Sequence, residues 1–192
     1  MADASSEGTD KNDTKEALVT RQSQDAVSAV SSMMREHQKA VFSLAYARLR
    51  NAHDAEDVTQ DVFVEAFRQI RKLKDARHVL PWLFRVTSCR CKDHVRKVIR
   101  REKREADFAW MRSLNPLDDP TLEEQRRDAL VKAVDGLPEK FRVVVMLKHF
   151  ARLSYDDISK MTGLSKTTID GRLRTAKKRL RKTLSAIGEE AD

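Results

Sequence analysis

The chain of 192 residues is short of turn formers. It holds five glycines and four prolines, where ordinary usage of roughly 7% and 5% would give about 23 of the two together. No glycine lies between Gly8 and Gly136. Sandwiches, barrels and meanders need turn residues roughly every 8–12 positions, and dinucleotide or nucleoside-triphosphate folds need a glycine-rich phosphate turn. Both classes are excluded, which leaves a mainly helical chain. Cysteine is also scarce, with Cys89 and Cys91 alone. Two positions apart on a helix they face different ways, which argues against a disulfide. With His94 they offer three potential metal ligands, but they lack a fourth local ligand and match no standard zinc spacing, so neither a metal nor another cofactor is expected. No apolar run approaches about 18 residues, and the N-terminus is polar and acidic. A signal peptide, a membrane span or any other membrane insertion is therefore not expected, and the protein is expected in the cytoplasm. None of His37, His53, His78, His94 and His149 sits in a metalloprotease or nucleophile–base motif, so no catalytic residue and no enzyme are expected.

What is abundant is charge, and it is segregated. The net charge is +8, which favours an anionic partner. Residues 54–65 carry five acids (Asp54, Glu56, Asp57, Asp61, Glu65) and no base. Residues 85–104 carry nine bases against two acids, and residues 166–182 carry eight against one. A merely soluble surface intersperses its signs; one acidic and two separate basic segments imply separate tasks.

Periodicity divides the chain into two small helical domains joined by a linker. Residues 1–25 are polar and poor in large apolar groups, and read as a disordered tail. The first domain spans 26–104. Apolar spacing begins near Val27 and strengthens at Val41, Leu44, Ala45 and Leu49. Asp54 reads as an N-cap with Asp57 three residues on, and Phe63, Ala66, Phe67 and Ile70 form the next stripe. A polar connector, Lys74 to His78, leads to Pro81 in the first turn of a third helix, whose stripe runs through Trp82, Leu83, Val86, Val95 and Ile99. Residues 105–121, with Pro116, Asp118, Asp119 and Pro120, read as the linker. The second domain spans 122–185 and is followed by a tail, 186–192. Its first helix ends at Gly136, in the C′ role. Pro138 opens another, which stays helical despite the strand-like Val143–Val145.

The sharpest pattern comes last. Ser154 and Asp157 make an acidic capping box, Ile158 and Met161 an apolar stripe, Gly163 a turn, and Ser165 the next cap. Ile169, Leu173, Ala176 and Leu180 then recur at helical spacing. A short helix, a glycine turn and a longer basic helix make a helix-turn-helix, whose second helix offers its N-terminal residues to base edges in the major groove. Those residues are Lys166, Thr167, Thr168, Asp170 and Gly171, with Arg174 a turn deeper. Arg172, Lys177, Lys178 and Arg181 suit phosphates. Gly171 costs a helix interior roughly 1 kcal/mol; it marks either a close approach to DNA or tolerated drift. Trp82 and Phe84 read as core, with a strand-holding surface as the other reading.

The layout resembles the extracytoplasmic-function (ECF) group of the sigma-70 family of bacterial transcription initiation factors. The resemblance rests on Ala55-Glu56-Asp57-Val58-Thr59-Gln60-Asp61-Val62-Phe63, Pro81-Trp82-Leu83-Phe84-Arg85-Val86, Asp93 and Arg96. In the second domain it rests on Leu137-Pro138-Glu139-Lys140-Phe141-Arg142, Leu153-Ser154-Tyr155-Asp156-Asp157-Ile158, Gly163-Leu164-Ser165, Thr168-Ile169, Arg172-Leu173 and Ala176-Lys177-Lys178-Arg179-Leu180. It implies that Glu56, Asp57, Gln60 and Asp61 dock on the β′ clamp helices of core RNA polymerase, with the β flap a further expected contact. It implies that the 74–80 connector captures a flipped minus-10 base. The minus-10 contacts would be Arg77, His78, Arg85, Arg90, Lys92, Arg96, Lys97 and Arg100. The minus-35 contacts would come from Ser165, Lys166, Thr167, Thr168, Asp170, Gly171, Arg172, Arg174, Lys177, Lys178 and Arg181. Promoter DNA and an anti-sigma factor are the other implied partners. Cys89 stands where the family often has Asn, and Asp170-Gly171 where it often has Lys-Ser. An Asp in the reading head either accepts from a cytosine amino group or repels phosphate. The competing reading is a helix-turn-helix repressor or activator that never meets polymerase; it gives the acidic segment no task.

Overall fold

The computed structural model describes residues 8–69, 75–105 and 122–189, and every regular element among them is helical. Ile70, Lys74 and residues 106–121 and 190–192 lie outside the described residues.

Helix α1 (Gly8–Leu49) is 42 residues long and begins inside the stretch read as a tail. Residues 9–25 contain neither proline nor glycine, so nothing stops the helix propagating back from its packed half. Arg50 closes it in the left-handed region at φ 57°, its N–H bonded to the Tyr46 carbonyl at 2.9 Å. Helix α2 (Ala52–Gln69) is capped by Asn51, whose Oδ1 accepts from the Asp54 N–H at 3.1 Å. The cap is thus three residues earlier than the sequence suggested. Ala55, Val58, Thr59, Val62, Phe63 and Ala66 are its buried stripe. Phe67, expected on that stripe, is 47% exposed, because it is rotated about 100° past Ala66 on the helix.

Helix α3 (Ala76–Glu105) also starts early. Asp75 Oδ1 accepts from the Arg77 N–H at 2.9 Å, which nucleates the turn before Pro81. Pro81 therefore lies inside the helix, where its missing N–H forgoes one bond to the Arg77 carbonyl. Trp82, Leu83 and Cys91 are buried against α1 and α2. Val95 and Ile99, expected in the same stripe, are 43% and 56% exposed, since Cys91 is the last α3 side chain in the core.

The second half comprises α4 (Leu122–Asp135), α5 (Glu139–Val145) with a π turn at Met146–Phe150, α6 (Tyr155–Thr162) and α7 (Lys166–Glu189). The Gly136 N–H bonds to the Lys132 carbonyl at 2.9 Å and ends α4 without a left-handed backbone. The capping signals act as read: Ser154 Oγ accepts from the Asp157 N–H at 3.1 Å, Gly163 is left-handed at φ 74°, and Ser165 Oγ accepts from the Thr168 N–H at 3.2 Å.

The two halves share α1. Its Val41 and Ala45 join Val58, Val62, Phe63, Trp82 and Leu83 in one core. Its Ala40, Leu44 and Ala47 join Leu147, Ile158, Met161 and Ile169 in another. A third, smaller core holds Leu137, Phe141, Val145 and Ala176. Arg142 pins the junction at 5% exposure. Its Nε donates to the Ala47 carbonyl at 2.6 Å, and its Nη1 to the carbonyls of Asp135 at 2.7 Å and Leu137 at 2.6 Å. Burial pulls its pKa down, as does nearby Arg50, while Asp135 and Glu139 oppose the shift. The group stays charged, as guanidinium does in proteins. The Tyr46 hydroxyl donates to Asp135 Oδ2 at 3.2 Å, and Arg48 pairs with Glu139 at 3.2 Å while covering the half-buried ring of Phe84.

Candidate nucleic-acid and partner interfaces

The acidic segment becomes one face of α2. Burial of Val58, Thr59 and Val62 turns Glu56, Asp57, Gln60 and Asp61 outward, and all four are exposed. Val64 and Phe67 extend this face as uncovered apolar side chains, 49% and 47% exposed. Sequence reasoning placed Phe67 inside and passed over Val64. Two of the segment's acids are held elsewhere. Asp54 lies 3.2 Å from His94 on α3. Glu65 accepts from Gln69, lies 3.0 Å from Arg90 and 3.7 Å from Arg68, and is held below the usual carboxylate range by the Gln69 hydrogen bond and the two cations.

The first basic segment becomes the outer face of α3. Arg85, Cys89, Lys92, Arg96 and Arg100 follow one another at i, i+4, i+7, i+11 and i+15, which on a helix makes one stripe, and all are exposed. Lys97 flanks it, also exposed. Arg96 lies 3.5 Å from Asp93, and Arg100 Nε donates to the Arg96 carbonyl at 3.1 Å. Arg90 is set apart from the stripe, tied to Glu65 as a bridge between α3 and α2. Arg77 grips Asp75 with Nη2 at 2.8 Å and Nε at 3.1 Å, which holds that carboxyl below its usual range. His78 is exposed 3.7 Å from the same carboxylate. The cysteines divide as their spacing implied: Cys89 is exposed on the basic stripe and Cys91 is buried.

The second basic segment becomes α7. Ile169 and Ala176 are fully buried and fix the rotation of the helix. Ser165, Lys166, Thr167, Thr168, Gly171, Arg174, Lys177, Lys178 and Arg181 are exposed, and Asp170 is half-buried. Arg172 is half-buried as well; it lines a crevice of about 500 Å³ between the halves, with Arg48, Phe84 and Glu139. Lys166 Nζ reaches Asp156 Oδ1 on α6 at 2.7 Å and, donating to it, holds that carboxyl below its usual range. Arg174 Nη2 reaches Asp170 Oδ2 at 2.5 Å.

One feature had no sequence signal. An apolar groove of about 930 Å³ runs between α1, α4 and α7, with Phe42, Tyr46, Val131, Val134, Phe150 and Leu173 in its wall and Lys148, Lys177 and Arg181 at its rim. Its wall combines residues more than 120 positions apart, so only the fold reveals it.

A helix-turn-helix with a basic reading helix, a second basic helical stripe and an uncovered acidic face define a two-part helical DNA-binding protein with a protein-docking surface. Comparison with known proteins carries this further. The family model for sigma-70 region 2 matches residues 33–101, and that for sigma-70 region 4 matches residues 127–180. The chain is 32% identical over 174 residues to the ECF RNA polymerase sigma factor SigE of Mycolicibacterium smegmatis, covering 87% of this chain and 66% of that protein. It is 24% identical over 176 residues to the ECF RNA polymerase sigma factor SigW of Bacillus subtilis, covering 86% and 92%. In fold it is similar to the sigma factor RpoE solved with the anti-sigma factor NepR from Bartonella quintana, at TM-score 0.57 and 23% identity over 81% of this chain and 96% of that one. It is similar also to CnrH solved with the cytosolic domain of CnrY, at TM-score 0.55 and 23% identity over 85% and 95%. The chain belongs to the sigma-70 family, in its ECF group. Its function is that of a sigma factor in transcription initiation, not of a freestanding repressor or activator. Among the described residues no helix is long and apolar enough to cross a membrane.

Proposed function

We propose that the chain binds core RNA polymerase through the α2 face, reads a minus-10 element with the α3 stripe and a minus-35 element with α7, and itself makes or breaks no bond. The observation that carries this reading is the separation of three faces on one helical frame: acids with Val64 and Phe67 on α2, cations on α3, cations on α7. Docking a basic or mixed protein surface uses the first, and phosphate backbones use the other two. Functional boundaries follow as 26–104 for the polymerase and minus-10 part and 122–185 for the minus-35 part. Within the minus-10 part, Arg85, Lys92, Arg96, Lys97 and Arg100 are the backbone-tracking group. Arg77 and His78 stand at the entry of α3, within the 74–80 segment assigned to the flipped base. Arg90 has the weaker claim, given its bond to Glu65.

An anti-sigma factor fits this reading, and the groove beside α7 suits an amphipathic helix with acidic flanks, since its rim carries Lys148, Lys177 and Arg181. The site of action is the cytoplasm, where polymerase and promoter are.

The test is binding of the full chain to purified core polymerase. Charge reversal at an exposed carboxylate, Asp61→Arg, is expected to weaken the complex at least tenfold while leaving thermal unfolding unchanged, because the side chain is exposed and surface charges carry little stability. Wild-type affinity in a folded Asp61→Arg variant would remove this face from the docking surface.

A further inference from the structure

Reading helices place long cations where bases are met, and a long cation is selective only when its direction is fixed. Arg174 has such a constraint on its own helix. Its Nη2 lies 2.5 Å from Oδ2 of Asp170, one turn earlier, and Asp170 is the sole acid among residues 166–182. The flanking cations differ. Lys166 is held by Asp156 of the preceding helix, whereas Lys177, Lys178 and Arg181 are exposed on the later turns. Gly171 stands next to Asp170, and a Cβ there would meet nothing within 4 Å. Protein packing therefore does not demand the glycine, and the side chains of Arg174 and Asp170 remain 77% and 43% exposed at the mouth of the apolar groove.

Resting on the minus-35 reading of α7, we propose that Asp170 is a positioning residue that aims Arg174 at a guanine and, through its second oxygen, selects a cytosine on a neighbouring base pair. The chemistry is complementary. A guanidinium held along one edge keeps its other N–H groups for the O6 and N7 of guanine. A carboxylate whose Oδ2 is engaged still has lone pairs on Oδ1 for the N4 amino group of cytosine. Residues i and i+4 stand about 6 Å apart on a helix, close to two steps of about 3.4 Å along a strand, so the two bases fall on adjacent or next-adjacent pairs. The pair is also electrically neutral. It thus adds choice of sequence while adding little to the general attraction for phosphate. The Asp is then not merely a repulsive charge in a basic helix: without it Arg174 is released to any phosphate in reach.

The experiment is selection of promoter fragments, randomised across the minus-35 element, by the full chain assembled with core polymerase. Wild type, Asp170→Ala, Asp170→Asn, Asp170→Glu and Arg174→Ala are compared, with helix content and melting temperature measured for each. Wild type is expected to select guanine at one position and cytosine within two pairs of it. Asp170→Ala is expected to lower both preferences about tenfold, to bind non-cognate DNA more tightly, and to steepen the dependence on salt by about one charge. Asp170→Asn, of the same size without the charge, moves the same way. Asp170→Glu retains the guanine preference, since Glu also reaches Arg at i+4, and a purely structural role would predict no such rescue. Arg174→Ala loses guanine selection and binds every sequence more weakly. An Asp170→Ala variant that keeps the wild-type base profile overturns the pairing, as does a wild-type profile with no such guanine and cytosine. A wild-type holoenzyme that selects nothing in this window overturns the minus-35 assignment of α7 as well.

Discussion

Replacing Arg142 is the most demanding test of how the two halves are joined. The guanidinium is almost fully buried and donates three bonds, to the carbonyls of Ala47, Asp135 and Leu137. Hydrogen bonds to a charged group contribute about 1.5–3 kcal/mol each, and buried carbonyls left without a donor cost about 1–3 kcal/mol each. These terms overlap, because all three acceptors lose one donor together and water enters the space left behind. A net cost of about 3–4 kcal/mol for Arg142→Ala is the working estimate. For a chain of this size that is a fall in melting temperature of roughly 6–16 °C, at about 2–4 °C per kcal/mol. Arg142→Lys keeps the charge but replaces a fork by a point, and should lose at least about half as much. Glu139→Gln is the control. It removes the partner of Arg48 at a half-exposed ion pair, where less than about 1 kcal/mol is at stake. Differential scanning calorimetry on the three variants decides the matter. An Arg142→Ala protein that melts within about 2 °C of wild type would refute the claim that this side chain holds the junction.

Other expectations follow from the same geometry. Burial pushes the Cys91 thiol up to about 11, so at pH 8 only about one molecule in a thousand carries its thiolate; Cys89 is exposed. Mass mapping after brief iodoacetamide treatment should find Cys89 modified first, with Cys91 reacting only as pH approaches its raised value or on unfolding; equal rates at pH 8 would contradict the burial. The compact arrangement also brings α3 into contact with α6. On the proposed reading, promoter elements roughly 25 base pairs apart are about 85 Å apart at ~3.4 Å per pair, so the two halves are expected to separate when both are read. A fluorophore pair on α1 and α7 should therefore move apart when the holoenzyme engages promoter DNA, and unchanged transfer would tell against reading by both halves. Finally, Gly163→Ala should destabilise the turn by about 1 kcal/mol or more, because φ is 74° there and an L side chain resists that region; an unchanged denaturation midpoint would contradict it.

Much of the second half was legible because its signals are local. Caps at Ser154 and Ser165, the left-handed Gly163 and the stripe of Ile158, Met161, Ile169 and Ala176 each depend on residues within a turn or two. The first half was less so. Asn51 and Asp54 are both good caps, and which one acts depends on where Arg50 ends the preceding helix. Asp75 starts α3 before Pro81 because a carboxylate cap outweighs the loss of one backbone bond. Phe67, Val95 and Ile99 lie at helical intervals from core residues, yet burial needs a neighbouring helix that reaches them, and periodicity does not say where neighbours stop. Arg142 was quoted only as part of a motif, since a charged residue in a helix reads as surface until the distant Ala47 carbonyl joins the nearby ones of Asp135 and Leu137 around it. At the candidate sites, residue types and faces were readable, but the partners were not. That Arg90 belongs to Glu65, Lys166 to Asp156 and Arg172 to the inter-half crevice depends on packing between elements.

The central claim is that this chain directs core RNA polymerase to promoters. Its most direct test is transcription from a genomic fragment library by bacterial core polymerase, with and without the purified protein. Defined start sites that appear only with the protein, and that share two upstream elements on alignment, are the predicted result. No new start sites and no binding to core, alongside tight binding of the free protein to duplex DNA, would contradict it.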